Sequence, residues 1–204
     1  MIRLEQEGAF WCATLDRPDK ANALTGAMLQ ELTEIAAAAT TEARALVLTG
    51  AGRVFSAGAD LDAARAGLAT SPVWEELSAT LAAAPCLTIA ALNGTLAGGA
   101  FGMALACDLR IAVPSARFFY PVMKLGFLPQ PSDPARLRAL IGPARARMIL
   151  MAGQKVDAQE ALAWGLIDRI VPPEALLDTA RALAADALNA KPGHVAAIKA
   201  MISR

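Results

Sequence analysis

Two stretches of this chain could do chemistry, and both offer main chain rather than side chain. The first is Leu46 to Leu61, LVLTGAGRVFSAGADL. Its small residues Ser56-Ala57-Gly58-Ala59 let a ligand approach the backbone closely enough for an N–H group to act as a fixed donor. The second is Thr88 to Asp108, TIAALNGTLAGGAFGMALACD. There Gly98-Gly99-Ala100 opens a small-residue helix running to Cys107. The first N–H groups of a helix have no intrahelical partner and sit at the positive end of its dipole, so Gly99 could present a donor to an oxyanion. One donor from each stretch would make an oxyanion hole, which stabilises charge developing on a carbonyl oxygen.

The elements that must position these donors can be read around them. Ala45 to Thr49 and Thr88 to Leu92 are short apolar runs bounded by glycine or a turn, as buried strands are. Gly50 and Gly52 end the first, and Asn93-Gly94 turns the chain after the second. Ile2 to Gln6 and Ala9 to Leu15 predict a hairpin hinged at Gly8. Thr25 can cap a helix in which Met28, Leu29, Leu32, Ile35 and Ala36 recur at helical spacing. Asp62 to Ala84 reads as helical pieces broken at Gly67 and Ser71-Pro72. Helices are expected at Ala135 to Ile141, Pro143 to Met151, Val156 to Gly165, Ala175 to Ala190 and Val195 to Ser203, with a strand at Asp168 to Val171.

Composition narrows the function classes. Nineteen basic and nineteen acidic residues among 204 leave no net charge, which argues against a nucleic-acid partner. Cys12, Cys86 and Cys107 are far apart among apolar neighbours, a pattern of buried reduced thiols rather than of disulfides or a metal site. MIRLEQEG carries charges where a secretory signal would be apolar. Leu77 to Cys107 has no charge, but Pro85, Asn93-Gly94 and Gly98-Gly99 divide it into core elements rather than a membrane span. A soluble cytoplasmic protein is expected.

Four ordered segments, LDRPDKANALT (Leu15 to Thr25), LTGAGRVFSAGADL (Leu48 to Leu61), ALNGTLAGGAFGMALACDLRIA (Ala91 to Ala112) and AQEALAWGLIDRIV (Ala158 to Val171), resemble the crotonase superfamily, the enoyl-CoA hydratase/isomerase family. The resemblance runs from about Trp11 to Lys199. It implies an α/β fold, a crotonase-type spiral of ββα units with C-terminal helices, divided into a spiral core at 1–142 and a helical part at 143–204 within one structural unit. It makes Ala59 and Gly99 the two oxyanion donors. CoA contacts fall to Lys20, Ala21, Ala23, Ala57, Asp60 and Leu61, and the acyl pocket to Trp74, Leu77, Phe101 and Val122. From composition alone, the Asp16 to Leu24 loop reads instead as a surface turn with a solvated lysine. The substrate would be an acyl-CoA thioester, with no other cofactor and no metal. The resemblance also implies a homo-oligomer, a trimer or dimer of trimers, although the chain ends before the C-terminal helices that such proteins usually carry.

The resemblance does not carry the usual acid–base pair. Hydratases of this family use two glutamates, and those positions fall on Gly102 and Val122, neither of which can move a proton. Gln130 stands where other branches place an aspartate or tyrosine, and an amide can orient a carboxylate or a water but is no base near neutral pH. Asp133 is the nearest acid. In Ser132-Asp133-Pro134 it suits an N-cap, with Pro134 at the first helical position, better than it suits catalysis. Tyr120 and Lys124 could touch an acyl carboxylate or face solvent. Glu75 and Glu76 read as a solvated helix face, Ser56 as structural, and the only histidine, His194, as too remote for a triad.

Two functional readings follow. One is an acyl-CoA enzyme working through an enolate, with decarboxylation or double-bond isomerisation ahead of hydration. The other is a non-catalytic acyl-CoA-binding or partner subunit. A nucleotide-binding protein built on Gly50-Ala51-Gly52 is the weakest, because Phe55 stands where the fingerprint's third glycine belongs.

Overall fold

The computed structural model describes residues 1–202. The hairpin forms as expected from β1 (Ile2–Glu7) and β2 (Phe10–Leu15), antiparallel around Gly8. α1 (Gly26–Glu42) follows, with the Thr25 hydroxyl accepting from the Met28 N–H at 3.3 Å and Met28, Leu29, Leu32 and Ala36 on its buried face.

Three rounds of strand, shorter strand and helix come next. β3 (Ala45–Gly50) and β4 (Val54–Ser56) lead to α2 (Leu61–Arg65) and α3 (Val73–Ala83). β5 (Leu87–Leu92) and β6 (Thr95–Ala97) lead to α4 (Phe101–Ala106), and β7 (Leu109–Ala112) and β8 (Arg117–Phe119) to α5 (Val122–Leu125) and α6 (Asp133–Leu150). The remaining elements are β9 (Val156–Asp157), α7 (Ala158–Trp164), β10 (Arg169–Ile170), α8 (Leu176–Asn189) and α9 (His194–Ile202).

The first strand of each round joins one sheet and the second joins another. The larger sheet has the order β1-β2-β3-β5-β7-β10, parallel from β2 onward. The smaller has the order β4-β6-β8-β9, with only the last pairing antiparallel. The result is an α/β spiral of ββα units. Its successive turns stack so tightly that a Cβ on Gly94 would overlap the Arg53 carbonyl. The Asn93 side chain ties the same two turns, accepting from the Gly50 N–H at 3.0 Å and donating to the Gly52 carbonyl at 3.0 Å.

The helices expected at Ala135 to Ile141 and Pro143 to Met151 form within Asp133–Leu150 on either side of Gly142, whose φ of +77° is not helical. Other local expectations change. Val156 and Asp157 form a strand instead of opening a helix, because Val156 pairs with Phe118 while the Asp157 carboxylate caps α7 through the Glu160 N–H at 2.9 Å. The last helix starts at His194, and Ser203 lies outside the described residues. Cys12, Cys86 and Cys107 are buried and free, their thiols pushed up chiefly by burial.

Candidate active site

Because β4, β6 and β8 are parallel neighbours, the chain leaving their C-terminal ends emerges side by side. Ligands of parallel α/β sheets collect at such ends. Ala57 and Ala59 follow β4, Gly98 and Gly99 follow β6, and Tyr120 and Val122 follow β8; all line one cavity of about 160 Å³.

The cavity contains the two unspent donors. After β4, the Ala57 N–H donates to the Ala21 carbonyl at 3.0 Å, the Gly58 N–H to Ser56 Oγ at 3.2 Å, and the Asp60 N–H to the Leu24 carbonyl at 2.8 Å. The Ala59 N–H has no protein acceptor among the described residues. Neither has that of Gly99, in the first turn of a short 3-10 helix over Gly98–Ala100. Gly58 brings the two segments together. Its φ is +92°, and a Cβ there would lie 3.0 Å from the Ala97 carbonyl oxygen and 3.5 Å from the Gly99 nitrogen.

Asn22 anchors the first donor segment. It is fully buried, with φ of +52°, in a left-handed region that asparagine tolerates better than most residues. Its Oδ1 accepts from the Arg17 N–H at 2.9 Å, and its Nδ2 donates to the carbonyls of Ala51 at 2.9 Å and Val54 at 2.7 Å. Its own carbonyl accepts from Ser56 Oγ at 2.8 Å, which gives Ser56 a structural task. Sequence reading missed Asn22. The available signal was a short polar side chain between alanines in a loop without glycine.

The expected CoA-contact residues surround this segment. Lys20 is exposed, while the carbonyls of Ala21 and Ala23 are occupied by the Ala57 N–H and by Arg17 Nη1. Asp60 is bonded to Arg17 at 2.8 Å and accepts from the N–H groups of Asp62 and Ala63, capping α2; the guanidinium holds its carboxyl below the usual range. Its carboxylate is therefore engaged within the protein. Ala57 and Leu61 line the cavity.

Of the residues assigned to an acyl pocket, Trp74 and Val122 line the cavity, and Leu77 and Phe101 do not. Helical periodicity turns both into the core, where Phe101 stacks on Tyr120 with ring centroids 5.4 Å apart. The Trp74 ring covers Gly99, its carbons 3.3 Å from where a Cβ on Gly99 would be, and is fixed by an indole N–H bond to the Leu68 carbonyl at 2.8 Å.

The acid–base groups differ most from expectation. Asp133 is the first residue of α6 and makes no cap; its side chain turns inward and is 1% exposed. The Tyr120 hydroxyl donates to Asp133 Oδ2 at 3.0 Å and accepts from the Gln130 N–H at 3.3 Å. Burial pushes the Asp133 carboxyl up to about 7. Burial, with the neighbouring Asp133, also pushes up the Tyr120 phenol. Glu75, expected on a solvated face, is half-buried and accepts from the Ser132 N–H at 3.2 Å, tying α3 to the start of α6; Glu76 is exposed. The Gln130 amide reaches the Ala69 carbonyl at 3.5 Å along the cavity wall, whereas Lys124 is exposed outside the lining.

Comparison with known proteins decides the family. A family model described as enoyl-CoA hydratase/isomerase matches residues 5–204. The chain belongs to the enoyl-CoA hydratase/isomerase family.

Among members of this family, a carnitinyl-CoA dehydratase of Citrobacter koseri is 39% identical over 97% of this chain and 78% of its own length. A probable enoyl-CoA hydratase of Rhodobacter capsulatus is 38% identical over 97% of this chain and 79% of its own. The crystal structure of an enoyl-CoA hydratase from Bacillus anthracis superposes with a TM-score of 0.90 at 33% identity, covering 100% of this chain and 82% of that one. The enoyl-CoA hydratase/isomerase fold thus accounts for the convergence of the strand ends. Among the described residues no helix is long and apolar enough to cross a membrane.

Proposed function

We propose that this family member binds a short acyl-CoA thioester and stabilises its enolate between the N–H groups of Ala59 and Gly99. Decarboxylation of a malonyl-type thioester or double-bond migration ranks ahead of hydration. The observation that carries the reading is the pair of donors without protein acceptors, facing one small cavity roofed by Trp74. Fixed donors aimed at a developing oxyanion stabilise a transition state by about 2.7–4 kcal/mol each.

The relatives' names point to addition or removal of water, which needs an activated water and a delivered proton. Val122 lines this cavity and carries no proton, and Gly102, buried in α4, is outside the lining. The Asp133 carboxyl meets the cavity lining through its bond from Tyr120. One proton-carrying route suits a reaction that protonates or moves a single proton on an enolate. The test is mass spectrometry of products from crotonyl-, 3-enoyl- and malonyl-type thioesters. Product from the second or third supports the proposal, whereas efficient hydration of crotonyl-CoA refutes the ranking. That no carboxylate lines the cavity directly favours the second reading, a non-catalytic acyl-CoA-binding subunit, which tight binding without product from any thioester would establish.

A further inference from the structure

We infer that Tyr120 exchanges a proton with the α-carbon of the bound thioester, and that Asp133, delivered from the start of α6 into the space in front of Gly102, is the carboxyl that refills or empties it. The inference rests on the acyl-CoA reading above. Tyr120 lines the cavity with the two oxyanion donors and touches Asp133 through a 3.0 Å bond.

Three observations set Asp133 apart from a structural carboxylate. Its side chain caps nothing, since Oδ2 accepts from the Tyr120 hydroxyl and Oδ1 accepts from no group among the described residues. It makes no ion pair among the described residues. Its Oδ1 is buried without a partner, an arrangement that costs stability instead of adding it. A Cβ on residue 102 would lie 3.1 Å from that oxygen and 3.6 Å from Oδ2, so glycine at 102 leaves room for a carboxyl brought from another element. The groups facing it are Tyr120 from the end of β8, Glu75 from α3 and Arg136 from α6. The Tyr120 bond and the Arg136 charge favour its ionised form, and the Glu75 charge opposes it.

The step balances as follows for a malonyl-type thioester. The bond between the α-carbon and the carboxylate breaks, carbon dioxide leaves, and the electron pair moves onto the thioester oxygen as an enolate. The α-carbon then takes the Tyr120 hydroxyl proton as the phenol oxygen takes the Asp133 proton, and Asp133 regains a proton from water. In reverse, an ionised Asp133 draws the phenol proton while the phenol oxygen removes one from the α-carbon. The short bond lets both transfers occur together, so the phenolate, which is disfavoured here, never accumulates.

The test is α-hydrogen exchange of butyryl-CoA in deuterium oxide, followed by NMR across pH, with binding measured separately by calorimetry. Exchange by the unaltered protein is expected to rise through about pH 7 and then level, as Asp133 ionises. Tyr120→Phe and Asp133→Asn are expected to lower it by about a hundredfold or more, the range of general acid–base contributions, with butyryl-CoA affinity within about threefold. Gly102→Ala keeps both groups but crowds Oδ1, and is expected to displace the pH midpoint. Should a variant fail to fold, the unaltered protein's pH profile and Gly102→Ala remain decisive. Binding with no exchange in the unaltered protein, or with exchange unchanged in the variants, overturns the relay alone. Absence of butyryl-CoA binding overturns the acyl-CoA reading and the relay with it.

Discussion

Asp133 shows how far a residue's chemistry depends on the direction in which the fold turns it. Its carboxyl lies at about 7 in the folded protein against 3.8 in a free chain. The folded state therefore holds a proton that the unfolded chain releases between these values. This contribution to stability is fully present below pH 3.8 and is lost as pH rises through about 7. Asp133→Asn, which carries no charge, is expected to gain on the unaltered protein by an amount of order 1–4 kcal/mol between pH 4 and pH 8, read by urea unfolding at both. Equal differences at the two pH values would refute a buried, raised carboxyl. At the same scale, Gly99→Pro removes one oxyanion donor and is expected to cost turnover about a hundredfold or more while the protein remains folded by circular dichroism. Both donor stretches were legible because small residues beside a strand end leave few other uses. The direction of Asp133 was not. Ser-Asp-Pro reads as a helix start, and the hydroxyl that takes up the Asp133 carboxylate, Tyr120, comes from the end of another strand.

At the scale of elements, the site depends on how the segment after β4 is held against the segment after β6. Gly58→Ala would introduce a Cβ 3.0 Å from the Ala97 carbonyl at φ of +92°. Backbone strain of this kind costs about 1–3 kcal/mol, and parting the two donors is expected to lower turnover well beyond that loss of stability. Asn22→Ala deletes three side-chain bonds to buried main chain and should lower stability by about 1–3 kcal/mol in denaturant unfolding. An unaffected variant would show that Arg17 and Asp60 hold the segment without it. In the larger sheet, β3 and β5 were legible from apolar runs ended by glycine or asparagine, whereas β7 was not read as a strand. The smaller sheet was not legible, since β4, β6 and β8 have three residues each, too few for an alternating pattern to register. Yet their parallel pairing is what gathers the site.

Over the whole molecule, three rounds of ββα place three strand ends at one cavity, so residues from distant parts of the chain share a site without any one segment encoding it. That architecture was readable through the ordered motifs of the family; periodicity alone gave only α/β. Leu61, Leu125, Phe127 and Leu128 are exposed around the cavity. Together with the family resemblance, this leads us to expect a homo-oligomer, with light scattering giving three or six times the chain mass; a monomer at micromolar concentration would contradict it. The most direct test of the central claim is isotope-edited infrared spectroscopy of butyryl-CoA labelled with carbon-13 at the thioester carbonyl. If the Ala59 and Gly99 N–H groups grip the oxygen, the carbonyl band moves to lower frequency on binding and returns towards its free position in Gly99→Pro. A bound thioester whose carbonyl band does not move would contradict the oxyanion hole.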